Sequence, residues 1–142
     1  MSRLLLDTHC WLWLQAEPER FSPEVLRDLG DPGIELLLSA ASAWEIAIKY
    51  ALGKLPLPEP PSSYVPSRLE RSGTTELLIS HRHALRVASL PAHHRDPFDR
   101  LLVAQAQIEG LAILTADPLL RSYEVELRSP VGDPHAHADP SP

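Results

Sequence analysis

The sequence predicts an α/β domain built on a central, mostly parallel sheet, and three observations carry that expectation. Short apolar runs of strand length recur along the chain: "RLLL", "IELLL", "TELLIS" and "AILT". Between them lie segments with helical start and stop signals. A chain of 142 residues with 44% hydrophobic content is long enough for one domain with a real core. Strands alternating with helices give parallel neighbours. In such a sheet every strand-to-helix turn emerges on one edge, where ligands commonly bind.

The first strand is read at 3–6, running into a helix that starts after Asp7. A second helix is expected at 23–29, with Ser22 as cap, Pro23 at the first helical position and Gly30 at the end. "IELLL" (34–38) is a short, mostly apolar run suited to a buried strand. In the next helix Trp44, Ala47, Ile48, Ala51 and Leu52 follow an i, i+3, i+4, i+7, i+8 pattern, the mark of a core-facing stripe, and Gly53 ends it. The proline-rich "KLPLPEPPSSYVP" is a loop leading into a short helix that includes "SRLER". A third strand is expected at 75–80, a short helix at 81–88, a long one at 97–109 ending at Gly110, and a fourth strand at 112–115. "YEVEL" (123–127) alternates weakly, as an edge strand would. The domain is therefore expected to span 1–129. Residues 130–142, "PVGDPHAHADPSP", lack an apolar pattern and are expected to be disordered.

Composition narrows the function. No apolar run approaches the roughly 18 residues of a membrane span, and no secretory signal pattern opens the chain. The single cysteine, Cys10, has no partner for an internal disulfide and agrees with a reducing, cytoplasmic setting. The net charge of −6 argues mildly against broad nucleic-acid binding. Yet 11 of the 13 basic residues are arginines, the side chain best shaped for phosphate. An acidic total therefore leaves room for a local phosphate-binding face.

Five acids fall at or near one sheet edge in this topology: Asp7, Glu45, Asp96, Asp99 and Asp117. Each has an ordinary structural use. Asp7, Asp96 and Asp117 are placed as N-caps, and Asp96–Pro97 followed by Asp99 is a good helix start by itself. "SAWE" (42–45) matches a capping box, and Glu45 can pair with Lys49 at i+4. The set is harder to dismiss than its members, because converging carboxylates repel one another unless a cation joins them. Hard oxygen donors without cysteine favour Mg²⁺ or Mn²⁺, and such ions serve phosphodiester cleavage.

The motifs "LLLDTH", "SAWEIAIK", "HHRDPFDRLLVAQA" and "LTAD", in that order, resemble those of the PIN-domain ribonucleases, most closely the VapC-type toxins of toxin–antitoxin pairs. The resemblance runs from about Leu4 to about Leu127. It implies a PIN-like single domain of about five strands flanked by helices, and an endoribonuclease using metal-activated water. Asp7 and Asp99 would form the core Mg²⁺ or Mn²⁺ clamp, with Glu45 and Asp117 completing the acidic pocket. Asp96 would be a further metal contact or the helix cap, and Thr8 and Thr115 hydroxyls near the site. Arg95 and Arg100, beside His93 and His94, would contact RNA phosphates at the rim. The expected partners are RNA, a small antitoxin protein whose apolar helix fills a groove near Trp11 or Trp13, and a second copy in a homodimer. Two alternatives remain open at this point: another metal-dependent phosphoryl-transfer enzyme, and a catalytically silent module that binds RNA or protein.

Overall fold

The computed structural model describes residues 2–132. β1 (Ser2–Leu6) leads into α1 (Thr8–Ala16) and α2 (Pro23–Leu29), and β2 (Ile34–Ser39) into α3 (Ala40–Ala51) and α4 (Pro61–Ser72). β3 (Thr74–Leu77) is followed by α5 (His81–Arg86) and α6 (Pro97–Glu109), and β4 (Ala112–Leu114) and β5 (Leu127–Arg128) complete the sheet. The five strands pair in the order β3-β2-β1-β4-β5, every neighbour parallel. From β1 the chain moves outward to β2 and β3, then returns to β4 on the other side of β1. The connections therefore diverge at β1 and β4, and the crevice at their carboxyl ends is the natural ligand position.

Period-two alternation splits the strands between two cores. Leu4, Leu6, Leu36, Leu38 and Leu114 join Trp11, Phe21, Val25, Ile46 and Tyr64 on one face. Leu5, Leu37 and Ile113 join Leu102, Val103, Ala106, Leu120 and Tyr123 on the other. Both faces are covered, which is why the strands read as continuous apolar runs. Helix ends follow local chemistry. Ser22 Oγ accepts the Val25 N–H, with Pro23 in the first turn. Gly110 ends α6 at φ +68°, where a side chain would be strained. No helix among the described residues is long and apolar enough to cross a membrane.

Five expectations need correction. The end of the proline-rich segment is helix rather than loop: α4 starts at Pro61, where proline suits a first turn, and runs 12 residues with Pro66 inside it. The Trp44 stripe of α3 faces outward: Trp44 is 60% exposed, and the buried residues are Ala41, Ser42, Glu45 and Ile46. The face turned to the protein carries polar site residues, so apolar periodicity points the wrong way. The N-cap of α3 is Ser39, whose Oγ accepts the Ala41 N–H, while Ser42 lies inside the helix. The third strand stops at Leu77, where it runs out of partner opposite Ser39. The fifth strand is Leu127–Arg128 alone, because β4 is short and residues 118–122 wind into a turn of 3₁₀ helix capped by Asp117.

Trp11 is fully buried, and Trp13 packs on Phe21 beneath the Arg20 guanidinium, so the exposed tryptophan is Trp44. Pro130, the first residue of the expected tail, is instead buried, and its carbonyl accepts the Ser22 N–H. Residues 133–142, most of that tail, lie outside the described residues.

Candidate metal centre

Asp7 follows β1 directly, and its backbone N–H still pairs with the Leu114 carbonyl at 3.1 Å, which seats it beside the end of β4. Its Oδ1 caps α1 by accepting the Cys10 N–H at 2.8 Å. Asp117 stands just beyond β4, where its N–H meets the Thr115 hydroxyl oxygen and its Oδ1 accepts the Leu119 N–H at 2.9 Å. Asp96 caps α6, its Oδ1 accepting N–H groups from Phe98 and Asp99. All three acids with a cap position do cap. Each uses Oδ1 alone for it, and Asp117 turns Oδ2 toward the His94 ring.

Asp99, in the first turn of α6, has a different task. Its Oδ2 lies 3.0 Å from His94 Nε2, and the same nitrogen lies 3.0 Å from Asp117 Oδ2. Burial, reinforced by the negative charges of Asp96, Asp7 and Glu45, pushes the Asp99 carboxyl up to about 7. Burial also raises Asp7, opposed by hydrogen bonds from Thr115 and Cys10. Glu45 is buried inside α3, with Oε1 accepting the Thr8 hydroxyl at 2.6 Å and Oε2 paired to Lys49 Nζ at 2.5 Å. Ser42, one turn earlier, lies 2.9 Å from the Thr8 hydroxyl. Asp99 and Asp117 thus meet on His94, the charges of Asp7, Asp96 and Glu45 reach Asp99, and Thr115 and Thr8 hydrogen-bond Asp7 and Glu45 respectively.

A carboxylate that resists ionisation because it is withdrawn from water, with neighbouring carboxylates adding to the effect, is short of positive charge. A divalent cation supplies that charge, and the donor set of carboxylate oxygens without thiolates fits Mg²⁺ or Mn²⁺. Asp7, Asp99 and Asp117 come from three elements to the crevice between β1 and β4, so the residues present suit such an ion.

The two arginines part company. Arg95 is exposed at the rim. Arg100 Nη1 donates to the Pro91 carbonyl at 2.8 Å and the Tyr123 hydroxyl at 3.2 Å, and Nη2 donates to the Val87 carbonyl at 3.1 Å. Arg100 thus holds the 87–94 segment in place. The sequence reading gave no site role to His94, which it named only beside the rim arginines, to Ser42, which it read as a cap, or to Tyr123. His94 was visible in the "HHRDPFDR" motif, and Ser42 shares a helical face with Glu45 at i, i+3; Tyr123 carried no signal.

A family model described as the PIN domain matches residues 4–125. Ribonuclease VapC22 of Mycobacterium tuberculosis is 32% identical over 123 residues, covering 87% of this chain and 93% of that protein. Ribonuclease VapC16 of the same organism is 67% identical over 48 residues, so the match spans 34% of either chain. Among solved structures, VapBC2 from Rickettsia felis bound to a DNA fragment from their promoter superposes with a TM-score of 0.69 at 15% identity, covering 90% of this chain and 98% of that one. At that identity the likeness is one of fold.

Proposed function

The chain belongs to the PIN-domain family, and on that premise we propose that it is a divalent-metal-dependent endoribonuclease, the toxin of a toxin–antitoxin pair. One observation carries the reading. Asp99 is half-buried within the field of Asp7, Asp96 and Glu45 and shares His94 with Asp117, an arrangement that favours a cation. The names of its relatives add the ribonuclease activity.

Asp7, Asp99 and Asp117 would hold Mg²⁺ or Mn²⁺, with Asp96 serving as the helix cap. When bound, the ion neutralises charge on the scissile phosphate and makes water a better nucleophile. Glu45, fixed by Thr8 and Lys49, sets the negative field at the edge of the site. Arg95 is free to meet a flanking phosphate. Trp44, exposed and edge-on to Phe98 at 5.3 Å, offers a stacking face for an unpaired base. A small antitoxin and a homodimer belong to the same reading. A cleft of about 360 Å³ lined by Leu14, Leu26, Leu29, Arg68 and Arg71 suits an antitoxin helix with an apolar face and an acidic edge.

The test is cleavage of total cellular RNA. Cleavage is expected with Mg²⁺ or Mn²⁺ and should stop with EDTA. Undiminished cleavage by thoroughly metal-stripped protein would overturn the metal dependence. RNA binding without cleavage in either ion would favour a silent binding module instead.

A further inference from the structure

We propose that His94 is a positioning donor of this centre rather than a metal ligand: one N–H from its ring holds Asp99 and Asp117 in the orientation that receives the cation. The inference rests on the metal-dependent reading and deepens it. By distance alone, His94, Asp99 and Asp117 form a three-ligand cluster, with one ligand atom from each lying within 4.8 Å of the others. The hydrogen bonding of the ring decides otherwise. His94 Nδ1 accepts the backbone N–H of Asp96 at 3.3 Å. A ring nitrogen that accepts carries no proton, so the proton of the neutral imidazole sits on Nε2. That Nε2–H lies 3.0 Å from Asp99 Oδ2 and 3.0 Å from Asp117 Oδ2 and is shared between them. A donating nitrogen has no lone pair left for a cation, whereas each oxygen it reaches keeps one.

The backbone that carries the ring is held as well. The backbone N–H of His94 donates to the Tyr123 hydroxyl at 2.9 Å, and Arg100 donates to that hydroxyl and to the carbonyls of Val87 and Pro91. The side chain is 12% exposed. Asp117 is consequently fixed at both oxygens, by Leu119 at Oδ1 and by His94 at Oδ2. Asp99 and Asp117 arise from separate elements and repel each other, and the imidazole is the bridge that sets their spacing. Hydrogen-bond partners of metal-binding groups typically change affinity by about tenfold to a hundredfold when removed.

Mn²⁺ is the probe, with binding to the full-length protein followed by electron paramagnetic resonance. His94→Ala should weaken Mn²⁺ binding by about tenfold to a hundredfold. His94→Gln should recover most of the loss, because its amide nitrogen reaches nearly the same point and donates an N–H. Pulsed spectra of the Mn²⁺-loaded wild type, with and without ¹⁵N-histidine, should show no nitrogen bound directly to the metal. A directly bound histidine nitrogen overturns the proposal and leaves the metal site standing. Unchanged affinity in His94→Ala, or equal loss in both variants, also overturns it. If His94→Ala does not fold, the wild-type spectrum decides alone. Wild-type protein that binds no Mn²⁺ removes the metal site itself, and this inference with it.

Discussion

Asp96 and Asp99 lie three residues apart at one helix start and do separate work. Asp96 satisfies two backbone N–H groups, a task asparagine performs about as well. Asp96→Asn should therefore keep its stability, whereas Asp96→Ala should lose about 1 kcal/mol in urea titrations. Asp99 instead stabilises nothing by being charged. Its carboxyl is raised from 3.8 to about 7, so in that interval the folded state binds a proton that the unfolded state has released. The contribution of this group to stability must then fall as pH rises from about 4 to about 7, and it stays unfavourable above that. In EDTA, Asp99→Asn should melt higher than wild type above about pH 7, and in Mg²⁺ or Mn²⁺ its RNA cleavage should fall to background. A variant that melts no higher there would contradict the buried-charge account, and one that cleaves normally would remove Asp99 from the site. The sequence carried both roles, because a cap and an acid are local features. It did not carry the elevated proton affinity, which depends first on burial in the folded chain and then on charges such as Asp7 and Glu45 arriving from elsewhere.

At the scale of elements, α3 shows where reading by periodicity fails. Its apolar stripe, Trp44 with Ala47 and Ala51, lies outward, and its inward face holds Ser42, Glu45 and Ile46. Elements that bury part of a functional site depart from the pattern of elements that only pack. The two readings rank substitutions in opposite order. Ile46→Ala, at a fully buried position, should cost about 2–5 kcal/mol in urea denaturation. Trp44→Ala should cost at most about 1 kcal/mol, the edge contact with Phe98 being its main loss. A Trp44→Ala variant less stable than Ile46→Ala would restore the expectation that the Trp44 stripe faces the core. By contrast, α6 was legible from end to end, since Asp96, Pro97 and Gly110 are all local signals.

For the whole molecule, the decisive feature is the strand order. Placing β4 on the far side of β1 brings Asp7 and Asp117 to one crevice, and α6 delivers Asp99 to the same place. An active toxin of this kind must be restrained in its own cell. Expression of the protein alone should arrest growth, Asp7→Asn should relieve the arrest, and co-expression of an adjacent small antitoxin gene should relieve it too. Asn retains the cap on α1, so relief by Asp7→Asn would reflect loss of charge rather than of fold. Harmless expression of folded wild-type protein in a host lacking the antitoxin would count against the toxin role.

What the sequence determined by itself was whatever depends on a few neighbouring residues. The alternation of strands and helices, the caps at Ser22, Asp96 and Asp117, and the motif-bearing acids all belong there. Tertiary structure decided what depends on partners distant along the chain. It gave Arg100 to the carbonyls of the 87–94 segment and shortened β5 to the two residues β4 can pair. It also set His94 between Asp99 and Asp117. The physical reason is the same in each case. A cap meets its own helix, whereas a hydrogen-bond donor, an edge strand or a buried charge takes its role from groups that only the folded chain brings near.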